Sequence, residues 1–555
     1  MDLILLMELK DDIVSLVNRT MGIPVFFKTI VSHYQDDVLE KGQPTIGTLC
    51  LDLNCLIHPC CRKVMGSLGD SEGGGGEDQM IACILETMEA LVEYANLQQT
   101  LYIAIDGVAP KAKMKQQRQR RHKSIFEPKA WDTNAISPGT HFMDKLNLQL
   151  QEWIQRDHGF HIILSNANEP GEGEHKILEY LKAGSGAAGA TAIYGLDADL
   201  IMLGLIASET VPNLMLLRER TEYNIENCDN DYIYLKIPEL KAYILKDIGV
   251  QSKLGPQTVI NDYIFLCFLL GNDFINHMPT LSLRYRGLET LLKTYRSLQA
   301  TYQGYFQLID ADYKDLIHLT FFKEFMMELA KNEPRLLASV HGSRTKQSQR
   351  VIGKYRSEFQ GFQKSLAPSD KGKSQIRLTD IHGYLESRST RPEHEYERAK
   401  EMTENLPLFF VGQEQRSLKR EVYYRDVQTK EVQGQGVQGQ GVQTKEVCQD
   451  FLDSLVWTAH YYFRGCRSWS WATECERGPL LKDLSQYLQT KDTLEIEEDR
   501  TPMSIPEQLT FIFPPQSHTL HSHKIQHVGK VADLMETMAV DVMFCRYLWE
   551  AHVAF

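Results

Sequence analysis

The sequence predicts an α/β fold, a mainly parallel central sheet flanked by helices, with an additional helical C-terminal segment packed on it. Three observations carry this expectation. Four short apolar runs, Leu49–Leu53, Leu101–Ile105, His161–Leu164 and Ala192–Gly195, have the length of strands. Stretches with helical spacing separate them, as the connections between parallel strands require. Acids end or follow each run: Asp52, Asp106, Glu172 with Glu174, and Asp197 with Asp199. In a parallel sheet the strand ends share one edge, where ligands bind, so acids far apart in sequence could meet there.

Taken in order, residues 1–20 read as an N-terminal extension. Leu3, Leu6, Ile13 and Val17 could line a short amphipathic helix, but Asp2, Glu8, Asp11 and Asp12 leave no basic leader, so the segment resembles neither a signal nor a transit peptide. The expected core spans residues 21–300. Its first run carries Asp52, with Asn54 and His58 close behind; residues 66–78 are a loop by composition, and Met80–Tyr94 has helical spacing. After Asp106 comes Lys111–Lys123, with seven Lys or Arg and no acid; on a helix Lys113, Gln117, Arg120 and Arg121 fall at i, i+4, i+7 and i+8, on one face. Asn168–Lys176 (Asn-Glu-Pro-Gly-Glu-Gly-Glu-His-Lys) follows the third run and leads into the helical pattern Ile177, Leu178, Leu181. Its glycines allow a tight turn between Glu172 and Glu174. The apolar helix Tyr263–Leu270 leads to Gly271-Asn-Asp-Phe, which adds Asp273.

Residues 301–426 read as a mostly helical, polar connecting region. Residues 427–447 repeat Val-Gln-Thr-Lys-Glu-Val around Gln-Gly-Gln-Gly-Val and are expected to be a disordered, low-complexity insertion. Order returns at Phe451, where Leu452, Leu455, Val456 and Ala459 have helix spacing before Tyr461-Tyr-Phe and Ser468-Trp-Ser-Trp; residues 448–555 are expected to pack on the core.

With 555 residues, more than one structural unit is expected, and 43% hydrophobic with 24% charged residues is globular composition. A net charge of −13 argues against a uniformly basic nucleic-acid coat and leaves room for a local basic groove. The 11 cysteines contain no Cys-x-x-Cys, which speaks against a zinc site or a disulfide framework and for a reducing, intracellular compartment. No apolar run reaches membrane-spanning length, so no membrane association is expected.

Two carboxylates ~4 Å apart repel by roughly 4 kcal/mol at an effective dielectric of ~20, so a pocket of six or seven needs cations or shifted protonation. Oxygen ligands suit two Mg²⁺ ions, with Mn²⁺ able to replace them, better than zinc; the bland alternative is a set of separate helix caps and surface charges. The basic stretch beside Asp106 is what a phosphate-bearing end would need, or else a solvated helix. Trp457, Tyr461, Tyr462, Trp469 and Trp471 could stack bases, although such aromatics more often form core.

On several segments the chain closely resembles the 5′→3′ exoribonuclease (XRN) family, as a compact, divergent member. They are Met21-Gly-Ile-Pro-Val-Phe-Phe-Lys, Leu51-Asp-Leu-Asn with His58, Asp106-Gly-Val-Ala-Pro-Lys-Ala-Lys-Met-Lys-Gln-Gln-Arg-Gln-Arg-Arg and Ile136-Ser-Pro-Gly-Thr. To these add Pro170-Gly-Glu-Gly-Glu-His-Lys-Ile, Gly195-Leu-Asp-Ala-Asp-Leu and Gly271-Asn-Asp-Phe-Ile-Asn-His-Met-Pro-Thr-Leu. Phe451–Trp471, Ile505-Pro-Glu-Gln-Leu and Phe513-Pro-Pro match the family's second region more loosely; after Trp471 the family has Tyr-Tyr-Pro where this chain has Ala472-Thr-Glu-Cys-Glu. The resemblance implies a PIN/flap-nuclease-like core. It implies metal binding by Asp52, Asp106, Glu172, Glu174, Asp197, Asp199 and Asp273, and a 5′-phosphate pocket of Lys113, Gln117, Arg120 and Arg121. RNA contacts would come from Asn54, His58 and either Trp469 or Trp471. The implied action is metal-dependent 5′→3′ degradation of single-stranded RNA bearing a 5′-monophosphate, releasing nucleoside 5′-monophosphates. The protein would be an intracellular monomer, cytoplasmic in preference to nuclear, with no cofactor besides metal. A flap-type DNA nuclease shares the acidic logic, but the continuation Met278-Pro-Thr-Leu-Ser-Leu favours the RNA enzyme; a catalytically silent RNA-binding scaffold would not need all seven acids.

Overall fold

The computed structural model describes residues 38–40, 42–68, 76–123, 131–184, 189–197, 199–220, 230–310, 315–366, 375–411, 420–424, 440–514, 517, 520, 538–541, 548 and 553–554. The expectations for residues 1–20, for Met21–Lys28 and for repeat residues 427–439 lie outside them.

After the two-residue strand β1 (Leu39–Glu40), the four apolar runs become β2 (Ile46–Asp52), β3 (Leu97–Ala104), β4 (His161–Ser165) and β5 (Ala190–Tyr194). Pairing is parallel between β2 and β3, β3 and β4, and β2 and β5. The sheet also takes in β6 (Leu214–Glu219), parallel to β5, and β7 (Tyr232–Lys236), antiparallel to β6, which the sequence analysis did not single out. The order is β1-β7-β6-β5-β2-β3-β4. From β2, near the middle, the chain builds outward through β3 and β4, then crosses back to β5 on the other side of β2. That reversal opens a crevice beyond the strand C-termini. Register levels the edge: Asp52 pairs with Ala104, and Ala104 with Ser165.

Alternate residues supply two cores. Cys50, Tyr102, Ala104 and Ile193 face one, while Leu49, Leu51, Leu101, Ile103, Ala192 and Tyr194 face the other, which is why these strands read as unbroken apolar runs. Helices α1 (Asn54–Leu68), α2 (Gly76–Tyr94) and, beyond the basic helix α3 (Lys111–Lys123), α4 (His141–Ile154) cover the second core. Helices α5 (Gly173–Lys182), α6 (Asp199–Ala207), α7 (Ile237–Ile248) and α8 (Pro256–Phe268) cover the first. Of the stretch expected to be a loop, residues 66–68 are helical in α1 and residues 76–78 in α2.

The later chain divides its packing. The long helix α9 (Glu333–Ser365) joins the antiparallel strands β8 (Gln375–Arg377), β9 (Ala539–Asp541) and β10 (Val553–Ala554) around Tyr355, Phe362, Ile381, Met402 and Val540, a core of its own. Helix α10 (Gln440–Phe463) instead buries Leu452, Leu455, Trp457, Tyr461 and Tyr462 in the first core beside α8, and it begins inside the repeat, so residues 440–447 are helical. Helix α11 (Ile505–Ile512) starts with a capping box at Ser504 and Glu507 and lays Leu509, Ile512 and Phe513 on Val108, Ala109 and Met114. Side chains of that size contribute roughly 1.5–3 kcal/mol each when fully buried, enough to hold α11 against α3. Among the described residues no helix is long and apolar enough to cross a membrane.

Candidate active site

The strand ends deliver the acids to one crevice. Asp52 closes β2, and its carboxylate accepts from Asn54 N at 3.3 Å and from the Cys55 thiol at 3.3 Å. Cys55 Sγ in turn accepts from Leu196 N at 3.4 Å, which ties the turn carrying Asp197 to β2. Asp106 follows β3. Its Oδ1 accepts from Gly173 N at 2.7 Å, its Oδ2 accepts from Asn54 Nδ2 at 3.1 Å, and its own N donates to Asn54 Oδ1 at 3.0 Å. Glycine is required where these turns cross. A Cβ on Gly107 would sit 1.8 Å from the Glu169 carbonyl oxygen, and one on Gly173 would sit 2.9 Å from Asp52 Oδ1 and 3.5 Å from Asp106 Oδ1.

Glu172 precedes α5 and Glu174 lies in its first turn, both buried. Asp199 opens α6, also buried. Lys113 reaches into this group, with Nζ 2.7 Å from Glu172 Oε2 and 3.2 Å from Asp273 Oδ2. Burial alone would lower the Lys113 ammonium, but Glu172, Asp273 and Glu174 more than offset it and hold it well above its ordinary value.

One lysine does not neutralise this many acids. Burial, then the charges of Asp106 and Asp197, raises the Asp52 carboxyl; burial, then Glu172, raises Asp106. Burial, then Asp199, raises Glu174; burial and the nearby Asp273 raise Asp197 against the pull of Lys113. Burial, then Asp273, pushes Asp199 up to about 8. Glu174 Oε2 is buried without a hydrogen-bond partner, and its residue is only 8% exposed. The donor set is all oxygen, mutually repelling and partly unsatisfied, which fits hard divalent cations. Among the described residues no three His, Cys, Asp or Glu side chains are already arranged to hold an ion, so cations would have to draw the carboxylates together.

A cleft opens directly beside the acids, lined by Asn54, His58, Asp106, Gln117, Arg120 and Arg121 with Gly107, the Ile136–Pro138 turn, Met143 and Gln508. Lys113 is not in its lining: one helical turn before Gln117, it reaches the acids instead. Arg121 donates from Nη1 to Asn134 Oδ1 at 3.0 Å, and its guanidinium stands 5.5 Å from the centre of the Phe513 ring. Burial, then Arg120, pushes Arg121 down to about 9. Burial, then Arg120 and Arg121, pushes His58 down to about 3, so its ring is neutral.

The aromatics separate. Trp471 stacks on buried Trp457 at 5.6 Å between ring centres and 25° between planes, whereas half-buried Trp469 stands outside such ring contacts among the described residues, with its carbonyl accepting from Lys111 N at 2.9 Å. Lys176 and Gln508 carry no role in the sequence reading, and Tyr461, expected there to stack bases or form core, is buried against an acid. The Tyr461 hydroxyl donates to Glu172 Oε1 at 2.6 Å while its ring stacks on His175 at 3.6 Å. Lys176 Nζ donates to Ile105 O at 2.8 Å and to Asn166 O at 2.9 Å, holding the β3 and β4 turns together. Gln508 accepts from Ala109 N at 2.8 Å at the cleft. Gln508 lies in Ile505-Pro-Glu-Gln-Leu and Tyr461 in Tyr461-Tyr-Phe; neither pattern alone says which acid or turn it reaches.

Two family models match the chain. One described as the N-terminus of XRN 5′-3′ exonucleases covers residues 21–130 and 123–220, and one described as the Xrn1 helical domain covers residues 255–527. The chain is similar to 5′-3′ exoribonuclease 1 of Schizosaccharomyces pombe, at 25% identity over 610 residues, 90% of this chain and 44% of that one. It is similar to 5′-3′ exoribonuclease 1 of Homo sapiens at 27% identity over 555 residues, 92% of this chain and 31% of that one. The chain thus spans less than half the length of either relative. The catalytic core of Rad2 in complex with DNA substrate matches at a TM-score of 0.31 and 15% identity over 56% of this chain and 80% of that one, a likeness too loose to carry an inference.

Proposed function

The chain belongs to the 5′→3′ exoribonuclease family, and from that premise we propose that it hydrolyses single-stranded RNA from a 5′-monophosphate end, releasing nucleoside 5′-monophosphates. One observation carries the reading: Asp106 belongs both to the acidic edge and to the wall of the cationic cleft, with Asn54 clamped between them. A terminal phosphate in the cleft would leave the first internucleotide linkage beside the acids.

Arg120 and Arg121 grip the terminal phosphate through charge-assisted hydrogen bonds, and Gln117 adds a neutral donor. His58, held neutral, offers a flat ring for the first base, and Trp469 offers another; Trp471 is engaged with Trp457. Asp52, Asp106, Glu172, Glu174, Asp197, Asp199 and Asp273 would hold divalent cations. When bound, read here as two Mg²⁺ with Mn²⁺ able to replace them, these supply positive charge at the scissile phosphate and lower the cost of making hydroxide from water. Tyr461 orients Glu172 through its hydroxyl, and Lys176 keeps the Asp106 turn in place. Water adds to the second phosphorus and the bond to O3′ of the first nucleotide breaks. The shortened RNA thereby gains a 5′-phosphate, the group the cleft grips, so each product end is a substrate end.

A single copy supplies both the acids and the cations, which supports a monomer. Nine cysteines among the described residues are free thiols, which supports a reducing, intracellular and in this reading cytoplasmic location. The test compares 5′-monophosphate, 5′-hydroxyl and 5′-triphosphate forms of one RNA with Mg²⁺. The monophosphate should be degraded fastest; equal rates on all three would overturn the assignment of the cleft.

A further inference from the structure

Behind the cleft, and outside its lining, stands a chain of hydrogen bonds that ends on Arg121. Arg121 Nη1 donates to Asn134 Oδ1 at 3.0 Å, Asn134 Nδ2 donates to Ser517 Oγ at 2.9 Å, and Ser517 Oγ donates to Asp132 Oδ2 at 2.5 Å. Asn134 and Ser517 are buried, at 7% and 1% exposure. We propose that Asn134 is a positioning residue that sets how Arg121 presents its guanidinium to the cleft, through a relay whose direction Asp132 dictates. The inference deepens the phosphate-binding reading of the cleft and rests on it.

The direction follows from donor and acceptor counts. An ionised Asp132 can only accept, so the Ser517 hydroxyl must spend its one proton there. The oxygen of Ser517 then accepts, which turns the Asn134 amide so that its NH₂ faces Ser517 and its carbonyl faces Arg121. Arg121 is a pure donor, so this is the only amide orientation it accepts; the reverse would set NH₂ against a guanidinium. Asn134 is itself held by its backbone, since its N donates to Asp132 Oδ1 at 2.9 Å and its carbonyl accepts from Ser137 Oγ at 2.8 Å. The Phe513 ring bounds Arg121 on another side. A neutral carbonyl positions the guanidinium without cancelling its charge, whereas a carboxylate at the same place would compete with the substrate phosphate. Residues 513 and 517 therefore serve the cleft from nearly four hundred positions further along the chain.

The experiment measures kcat and KM on 5′-phosphate and 5′-hydroxyl forms of one single-stranded RNA for wild type, Asn134→Ala, Asn134→Asp, Ser517→Ala and Ser517→Thr. Thermal melting and the ¹⁵N guanidinium resonance of Arg121 (assigned with Arg121→Lys) are recorded alongside. Asn134→Ala should reduce the preference for the 5′-phosphate roughly tenfold, through KM, while the 5′-hydroxyl substrate is cleaved as before. Asn134→Asp should lose more, Ser517→Ala less, and Ser517→Thr should restore the preference. Folded Asn134→Ala with wild-type discrimination and an unshifted Arg121 resonance would overturn the inference, and so would an equal loss on both substrates. Should Asn134→Ala not fold, an unshifted Arg121 resonance and undiminished preference in Ser517→Ala would overturn it instead. A wild type that ignores the 5′-phosphate would instead sink the cleft assignment itself; the Arg121 resonance would then still decide for or against the relay.

Discussion

The acidic edge and the cationic cleft touch at Asp106, yet they are built by opposite means. The acids arrive on separate strand ends and turns, with Asp52, Glu172, Glu174 and Asp199 buried and the others half-buried, and the buried Lys113 ammonium pairs with Glu172 and Asp273. The basic groups of the cleft come from one helix, α3, and remain partly open, with Arg121 steadied by the Asn134 carbonyl and the Phe513 ring. The difference teaches which half depends on a ligand. Like charges in a buried crevice stay ionised only if cations arrive, whereas guanidiniums at an open cleft keep their charge in water.

Experiments that strike one half and spare the other can break this contrast. The largest effect is expected from Asp197→Asn combined with Asp199→Asn, which should lower cleavage by roughly 10³-fold or more while RNA binding in EDTA persists. Equal degradation by mutant and wild type would remove the catalytic role of the edge. Gly173→Ala should come next. A Cβ 2.9 Å from Asp52 Oδ1 must push that carboxylate aside, and since a misplacement near 1 Å costs about 10²-fold, the smaller shift needed here should cost up to that much in kcat, with 5′-phosphate preference kept. Arg121→Ala strikes the other half: it should cut the preference for a 5′-phosphate by roughly 10- to 100-fold and leave slow cleavage of 5′-hydroxyl RNA unchanged. If that variant also lost activity on the hydroxyl substrate, the two halves would not be separable.

Two smaller effects sharpen the contrast. Tyr461→Phe removes the hydroxyl on Glu172 and keeps the ring on His175, so kcat should fall several-fold, on the order of one lost hydrogen bond to a charged group, without a change in 5′-end preference. The smallest is a stability effect with a pH signature. Asp199 is pushed up to about 8 from an ordinary 3.8, so ionising it costs the folded state; that cost is absent below about pH 4 and is fully developed only above pH 8. In EDTA, Asp199→Asn should melt with wild type near pH 4 and a few degrees above it at pH 8, on the order of 1–2 kcal/mol. Mg²⁺ should narrow the gap by stabilising wild type. A gap that shrinks with rising pH would show that the crevice does not penalise ionised Asp199.

Strands β2, β3 and β5 were legible because strand ends buried on both faces leave an unbroken apolar run, and half-buried β4, at the sheet edge, because its run is still apolar. Asp52, Asp106, Asp197 and Asp199 were legible because they sit where such a run stops, whereas Glu172 and Glu174 come after a turn and Asp273 after a helix. Strands β6 and β7 escaped notice: Leu214–Leu217 is just as apolar, but it is not followed by a run of acids, and β7 is half tyrosine and lysine. The face shared by Lys113 and Gln117 was read from helical spacing, yet one of them meets acids and the other lines the cleft. Spacing orders residues around a helix axis; it is silent about which loop crosses each turn.

What the chain's letters determined by themselves is local: apolar runs that must be strands, glycines that permit crossings, and a helix whose cations share one face. Tertiary structure alone decided the pairings, because Tyr461 reaches Glu172 across 289 residues and Ser517 reaches Asn134 across 383. Periodicity encodes what a residue's neighbours in sequence do. Which carboxylate a distant hydroxyl meets depends on how whole helices pack, and that is settled by the burial of apolar side chains elsewhere.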